Sequence, residues 1–174
     1  LHNRFQISAA LPFNNFNQKG DFNEVNLVGL GDMTVMGSFL LLNKTNFEKD
    51  ETAHLFLINF GAKLPTGKTN VLDGTGKLFN PRMQPGSGSL DYVFGTNYIM
   101  KLKKNSIQFD LNAKINTMNE SLYQLGNQYR GTIRYSRWMN VGTGNLLLST
   151  AYVYDHILND YSENDIFHGM HGRK

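Results

Sequence analysis

Between Ser106 and Thr117 the chain alternates without a slip. Ile107, Phe109, Leu111, Ala113 and Ile115 take the odd positions, and Gln108, Asp110, Asn112, Lys114 and Asn116 the even ones. A period of two gathers the apolar groups on one face of a strand, whereas a helix would scatter them around its circumference. The stretch therefore predicts a β-strand with one wholly apolar face. Its other face carries a carboxylate, an ammonium and three amides. Two settings suit such a strand. One is the wall of a soluble sandwich or lipocalin-like barrel, apolar side inward. The other is the wall of a membrane barrel, with lipid against the apolar side and a wet lumen against the polar side.

Six further stretches repeat the pattern: Phe5 to Phe13, Gly31 to Leu42, His54 to Leu64, Ser89 to Lys101, Gln128 to Ser136 and Leu146 to Asp155. Pro12 suits the end of the first. Between the strands lie a polar, Asn-rich loop (Asn14 to Asn26), a charged turn (Asn43 to Glu51), and a long Gly- and Pro-containing loop (Pro65 to Gly88). A tight turn (Leu102 to Asn105), a loop (Met118 to Asn127) and a Gly-containing turn (Asn140 to Asn145) follow, and a polar tail, His156 to Lys174, ends the chain. Strands of about ten residues exceed the globular average and have the length that a tilted strand needs to cross a bilayer. Connections after the first, third, fifth and seventh strands are long and polar. Those after the fourth and sixth are short, and that after the second is intermediate. Long loops on one side and short turns on the other is the outer-membrane pattern, and it predicts an exposed, extracellular Pro65 to Gly88. Aromatics near strand ends (Phe5 and Phe13, Tyr92 and Tyr98, Tyr129 and Trp138, Tyr152 and Tyr154) suit two interfacial girdles.

Composition narrows the choice. At 174 residues the chain is one domain's worth. It has no cysteine, hence no disulfide framework and no thiolate metal site. The net charge of +3 is spread rather than clustered, which argues against nucleic acid as a partner. No apolar run approaches the roughly 20 residues of a membrane helix. The chain shows no signal peptide and does not begin with Met, so it reads as a processed chain or a fragment.

Three motifs carry a family resemblance: Gly-Leu-Gly-Asp (Gly29 to Asp32), Gly-Ala-Lys-Leu-Pro-Thr-Gly (Gly61 to Gly67) and Gln-Pro-Gly-Ser-Gly-Ser-Leu-Asp (Gln84 to Asp91). Together they resemble the bacterial outer-membrane proteins of the "MetA-pathway of phenol degradation" group, in a Bacteroidetes-type form. The resemblance covers roughly Leu1 to Asp155. It implies an all-β, antiparallel, up-and-down transmembrane barrel in the outer membrane of a Gram-negative bacterium, passing small or hydrophobic solutes. The bilayer is then the main partner, and partner proteins of a membrane complex are a third reading. Bacterial single-chain barrels have even strand counts. The seven strands thus read as one incomplete domain, residues 1–174, of a barrel of eight to twelve strands.

The expected lumen-facing residues follow from the alternation. They are Arg4, Gln6, Asp32, Asn59, Lys63, Asp91, Asn97 and Lys101, then Gln108, Asp110, Asn112, Lys114, Arg130, Arg134 and Asp155. Mixed charges suit either a selective pore or an ion-paired plug. In the tail, His156, His168 and His171 among carboxylates form a candidate metal-binding set. Gly61 to Thr69 mimics a phosphate-binding loop, but it has five residues between its glycines where four are needed, and no amphipathic helix follows. The sequons at Asn43 and Asn119 have no role on a bacterial barrel. No catalytic triad or paired carboxylates stand out, so the reading is of a non-enzyme without a cofactor.

Overall fold

The computed structural model describes residues 4–19, 24–46, 52–72 and 76–163. The strands in chain order are β1 (Phe5–Ala10), β2 (Phe13–Lys19), β3 (Glu24–Leu30), β4 (Thr34–Asn46), β5 (Thr52–Lys63) and β6 (Asp91–Leu102). They continue with β7 (Asn105–Ile115), β8 (Tyr123–Gln124), β9 (Gln128–Val141), β10 (Gly144–Ile157) and β11 (Tyr161–Ser162). A single 3₁₀ turn, Pro81–Met83, is the helical element among the described residues. The seven alternating stretches build one antiparallel sheet in the order β1-β4-β5-β6-β7-β9-β10. The all-β, antiparallel expectation therefore holds. The sheet is open: β1 and β10 are its edges and do not pair with each other.

Registry fixes the faces. Phe109 of β7 lies opposite Tyr98 and Ile133, and Leu111 opposite Thr96 and Gly131. The apolar positions of neighbouring strands thus meet, as a period of two requires. At Leu40–Leu42 the β4–β5 ladder has a bulge. The extra residue flips the parity, so Leu42 rather than Leu41 joins Phe56 on the apolar face.

Two expected loops are more ordered than the sequence suggests. Most of Asn14 to Asn26 belongs to a β2–β3 hairpin beside the main sheet. Asparagine has weak strand propensity, but pairing with a neighbour overrides it. The tail is also structured at its start: β10 runs on through Ile157, and Tyr161–Ser162 pairs with Tyr123–Gln124. The turn expected over Asn140 to Asn145 shrinks to Gly142–Thr143, with Gly142 at φ +58°. That left-handed conformation suits glycine, which has no Cβ to clash.

Because neighbours run antiparallel, the hairpin and the connections leaving β5 and β7 lie at one end of the sheet with the segment after β10. The turns β4–β5, β6–β7 and β9–β10 lie at the other end. The predicted asymmetry of long and short connections is present.

At the long-loop end burial is inverted relative to a soluble sheet, while elsewhere both faces are open, as along all 14 residues of β10. Among the described residues the buried apolar side chains are Leu27, Ala53 and Tyr123, whereas Asp32, Lys63, Ser89, Asp91 and Asn116 are all buried. On the apolar face Leu111 is 65% exposed and Tyr152 69% exposed.

Candidate functional site

The buried polar groups gather at the long-loop end, on the polar face. Lys63, the last residue of β5, lies directly opposite Asp91, the first of β6. Lys114 of β7 is one diagonal step away, since Ile115 pairs with Tyr92. Asp32 arrives from the link into β4. Lys63 Nζ donates to Asp32 Oδ2 at 2.7 Å and lies 2.9 Å from Asp91 Oδ2. Lys114 Nζ is 3.4 Å from the same oxygen. The two contacts to Asp91 Oδ2 are charge contacts without hydrogen-bond alignment. The other oxygen of Asp91 accepts from Ser89 Oγ at 2.7 Å and Thr117 N at 3.1 Å. All three motifs of the family resemblance thus meet in this one cluster, through Asp32, Lys63 and Asp91.

The connection between β5 and β6 is drawn into the same network. Asp32 Oδ2 accepts from Ser87 N at 2.7 Å and Ser87 Oγ at 2.8 Å, and Asp32 Oδ1 accepts from Gly67 N at 2.9 Å. Lys63 also donates to Ser87 Oγ. The approach needs bare backbone. A Cβ at Gly86 would sit 2.6 Å from Gly67 C and 2.7 Å from Asp32 Oδ1. Burial pushes the Asp32 carboxyl up, but the bonds from Lys63, Ser87 and Gly67 outweigh it and hold the group below the ordinary aspartate value of 3.8.

The far part of this connection reaches across the sheet. Asn80 caps the Pro81–Met83 turn by accepting from Arg82 N at 3.0 Å. Arg82 then forks onto Asp160, with Nε and Nη2 each at 2.6 Å from a carboxylate oxygen. Asp160 follows β10, three strand spacings from β6, or about 14 Å. It also accepts from Tyr123 O–H and from Gly126 N at 2.8 Å. Burial, then the adjacent carboxylate, pushes the Tyr123 hydroxyl up to about 12. Burial tends to raise Asp160, but its bonds from Arg82, Tyr123 and Gly126 hold it below the ordinary range. Residues 64–72 and 76–90 therefore form a strap, rooted on Asp32 and Lys63 and pinned at its tip by Asp160. Pro85 and Gly86 are buried within it. The loop expected to be exposed is so only in part: Pro65, Thr66, Leu72, Lys77 and Arg82 are exposed, while carboxylates at both ends hold Pro85 and Gly86 against the sheet. Beneath the strap lies a cavity of about 450 Å³, walled by Lys63, Lys114, Gln128 and Ile157 of the sheet and by Pro81, Arg82 and Gln84 to Ser87 of the strap.

The remaining expected lumen residues share this face by register without joining the cluster. Asn97 and Gln108 donate to Asp110 within the face. Arg130 pairs with Asp155 across β9–β10 at 2.5 Å. Asn112 fills the space beside Gly95. Arg4, Gln6, Asn59, Lys101 and Arg134 stand apart from the cluster. His156 belongs to β10 rather than to a tail, and its register partner and stacking neighbour is Tyr129 of the apolar face, at 6.4 Å. His168 and His171 lie outside the described residues. Among the described residues no three His, Cys, Asp or Glu side chains gather as a metal site. Arg82, Ser87, Tyr123 and Asp160 were not legible as site residues, because their partners are 34 to 78 positions away. The chain matches no family model, no curated protein and no solved structure in comparisons with each.

Proposed function

We propose that this chain forms wall of an outer-membrane β-barrel, a channel for small solutes whose lumen is lined by the polar face and narrowed by the strap. The inversion of burial carries this reading. A soluble lipocalin-like barrel would bury Leu111 and Tyr152, which are instead exposed, while Asp91 is wholly buried on the opposite face. Lipid is the solvent that an exposed apolar sheet face suits. The open edges support it too. β10 offers 14 exposed residues along an unpaired edge, and such edges are ordinarily covered or closed into a barrel. Closure here brings further strands to β1 and β10, giving a total of eight to twelve.

Charge sets the selectivity. Arg4, Lys63, Lys101, Lys114, Arg130 and Arg134 share the polar side with Asp32, Asp91, Asp110 and Asp155, an excess of positive charge. In a low-dielectric wall that excess concentrates along the lumen. The full-length protein in planar bilayers is expected to conduct with a weak anion preference. The preference should fade as salt shortens the screening length to about 10 Å at 0.1 M. Lys101→Gln with Arg134→Gln should reduce it most, since Arg130 is already tied to Asp155. A reversal potential showing cation preference would contradict the charge argument, and no conductance would favour an ion-paired plug.

A further inference from the structure

We infer that the short-turn rim of the sheet is a docking site for an anionic glycerophospholipid, whose headgroup phosphate has no ammonium beside it; this rests on the outer-membrane reading and adds a specific lipid to it. The charge of the rim carries the argument. Within residues 98–109, which span the β6–β7 turn, the charged side chains are Lys101, Lys103 and Lys104. Within residues 133–150, which span the β9–β10 turn, they are Arg134 and Arg137. All five are exposed, and their side chains make no ion pair or hydrogen bond among the described residues. The neighbouring β4–β5 link does not cancel them. By sequence, Glu48, Asp50 and Glu51 stand there against Lys44 and Lys49, a net −1. The long-loop end is the contrast, since Lys63, Arg82 and Lys114 there face Asp32, Asp91 and Asp160.

Register brings three of the five together where lipid headgroups would lie. Arg137 is opposite Asn105 on β7 and Leu148 on β10. Trp138 N donates to the Lys104 carbonyl at 2.8 Å, so Lys104 is the next step of the same ladder. Lys104 and Arg137 are thus diagonal neighbours, close enough for two long side chains to meet one phosphate. Lys103 precedes them in the tight turn. Arg137 has the parity of Ile133 and Tyr135, so it ends a column of the apolar face. Its stem can lie along lipid while the guanidinium snorkels to the headgroups, past Met139 and Leu146. Tyr135 and Trp138, 41% and 45% exposed, are amphipathic rings of the kind found at that depth. Short turns are periplasmic in an outer-membrane barrel, which places this rim in the phospholipid leaflet. Guanidinium and ammonium bind phosphate through charge-assisted bonds. A zwitterionic headgroup would bring its own ammonium to a rim that is already positive, so the anionic lipid is favoured.

The test reconstitutes the full-length protein in phosphatidylcholine vesicles. Trace phosphatidylglycerol or phosphatidylcholine, spin-labelled on the acyl chain, is added, and electron paramagnetic resonance measures the motionally restricted fraction of each. Phosphatidylglycerol should associate about fivefold more strongly, the order of one basic residue near an anionic surface. The preference should vanish in 1 M salt, where the screening length is about 3 Å. It should also vanish in Lys103→Asn, Lys104→Gln, Arg137→Gln. Asparagine is chosen at 103 because it tolerates the left-handed backbone there, φ 51°. Lys104→Arg with Arg137→Lys should keep the preference, which separates lost charge from lost folding. Equal restriction of the two lipids overturns the inference and leaves the rim to an acidic partner protein. An undiminished preference in the triple variant overturns it as well, by placing the anionic lipid elsewhere. No restricted lipid of either kind removes the membrane reading, and this inference with it.

Discussion

Replacing Lys63 with methionine should unseat the strap and cost about 3–5 kcal/mol, the range for removing one partner of a buried ion pair. Lys63 is the charge shared by Asp32 and Asp91 and the donor to Ser87. Without it, Asp91 stays wholly buried with Lys114 alone, at 3.4 Å. The attraction of Lys114 at that distance is a poor substitute for two close charges. The loss should appear as a lower denaturant midpoint and as new protease cleavage between Pro65 and Leu90. Methionine keeps most of the lysine stem's volume, so the effect isolates charge and hydrogen bonding from packing. Adding Asp91→Leu should recover part of the loss, because an apolar replacement removes the stranded carboxylate and the two effects are coupled. The exposed Arg130–Asp155 pair makes a useful contrast, and Arg130→Gln should change stability little. A Lys63→Met protein as stable and as protease-resistant as the parent would mean that the cluster holds nothing in place.

The second large effect concerns the faces of β7. Leu111→Arg should block assembly into the membrane, because a charge facing lipid near the bilayer midplane costs about 2–4 kcal/mol. Leu111 is 65% exposed on the apolar face, opposite Thr96 and Gly131, so no neighbouring charge is at hand to pair with the arginine. Asn112→Arg should be tolerated far better. Its position is on the polar face, paired with Gly95 and with Arg130, where water and nearby Asp110 can accommodate a guanidinium. The comparison is read as the fraction of protein that migrates as a folded band on unheated gels. Equal damage from both substitutions, or the reverse order, would contradict the assignment of faces.

Much of this architecture was legible because strand periodicity is local. Each side chain's face follows from its own parity, so the seven strands and both faces could be read from residues such as Ile107 to Ile115 without knowing their partners. The extra residue at Leu41 was not legible, since a bulge exists only relative to the neighbouring strand. The β2–β3 hairpin was missed because its asparagines signal loop and only pairing makes them strand. The cluster was half legible. Asp32, Lys63, Asp91 and Lys114 were placed on the polar side by parity, but their meeting depends on the register of three strands and on a strap that crosses the sheet. The tip of the strap had no local signal at all, because Arg82 finds its partner 78 residues on, at Asp160. Likewise Arg130 reads as a free lumen charge until the β9–β10 register sets it opposite Asp155.

The central claim is that lipid covers the apolar face and water the polar one. The chain has no cysteine, so single spin labels can be placed at Leu111→Cys and at Asn112→Cys in reconstituted bilayers. Collision with oxygen, which concentrates in lipid, is compared with collision with a water-soluble nickel chelate. The account predicts that the label at 111 relaxes mainly through oxygen and the label at 112 mainly through nickel, although they are adjacent in sequence. Nickel-dominated relaxation at 111 with oxygen-dominated relaxation at 112, or the same water exposure at both, would contradict it.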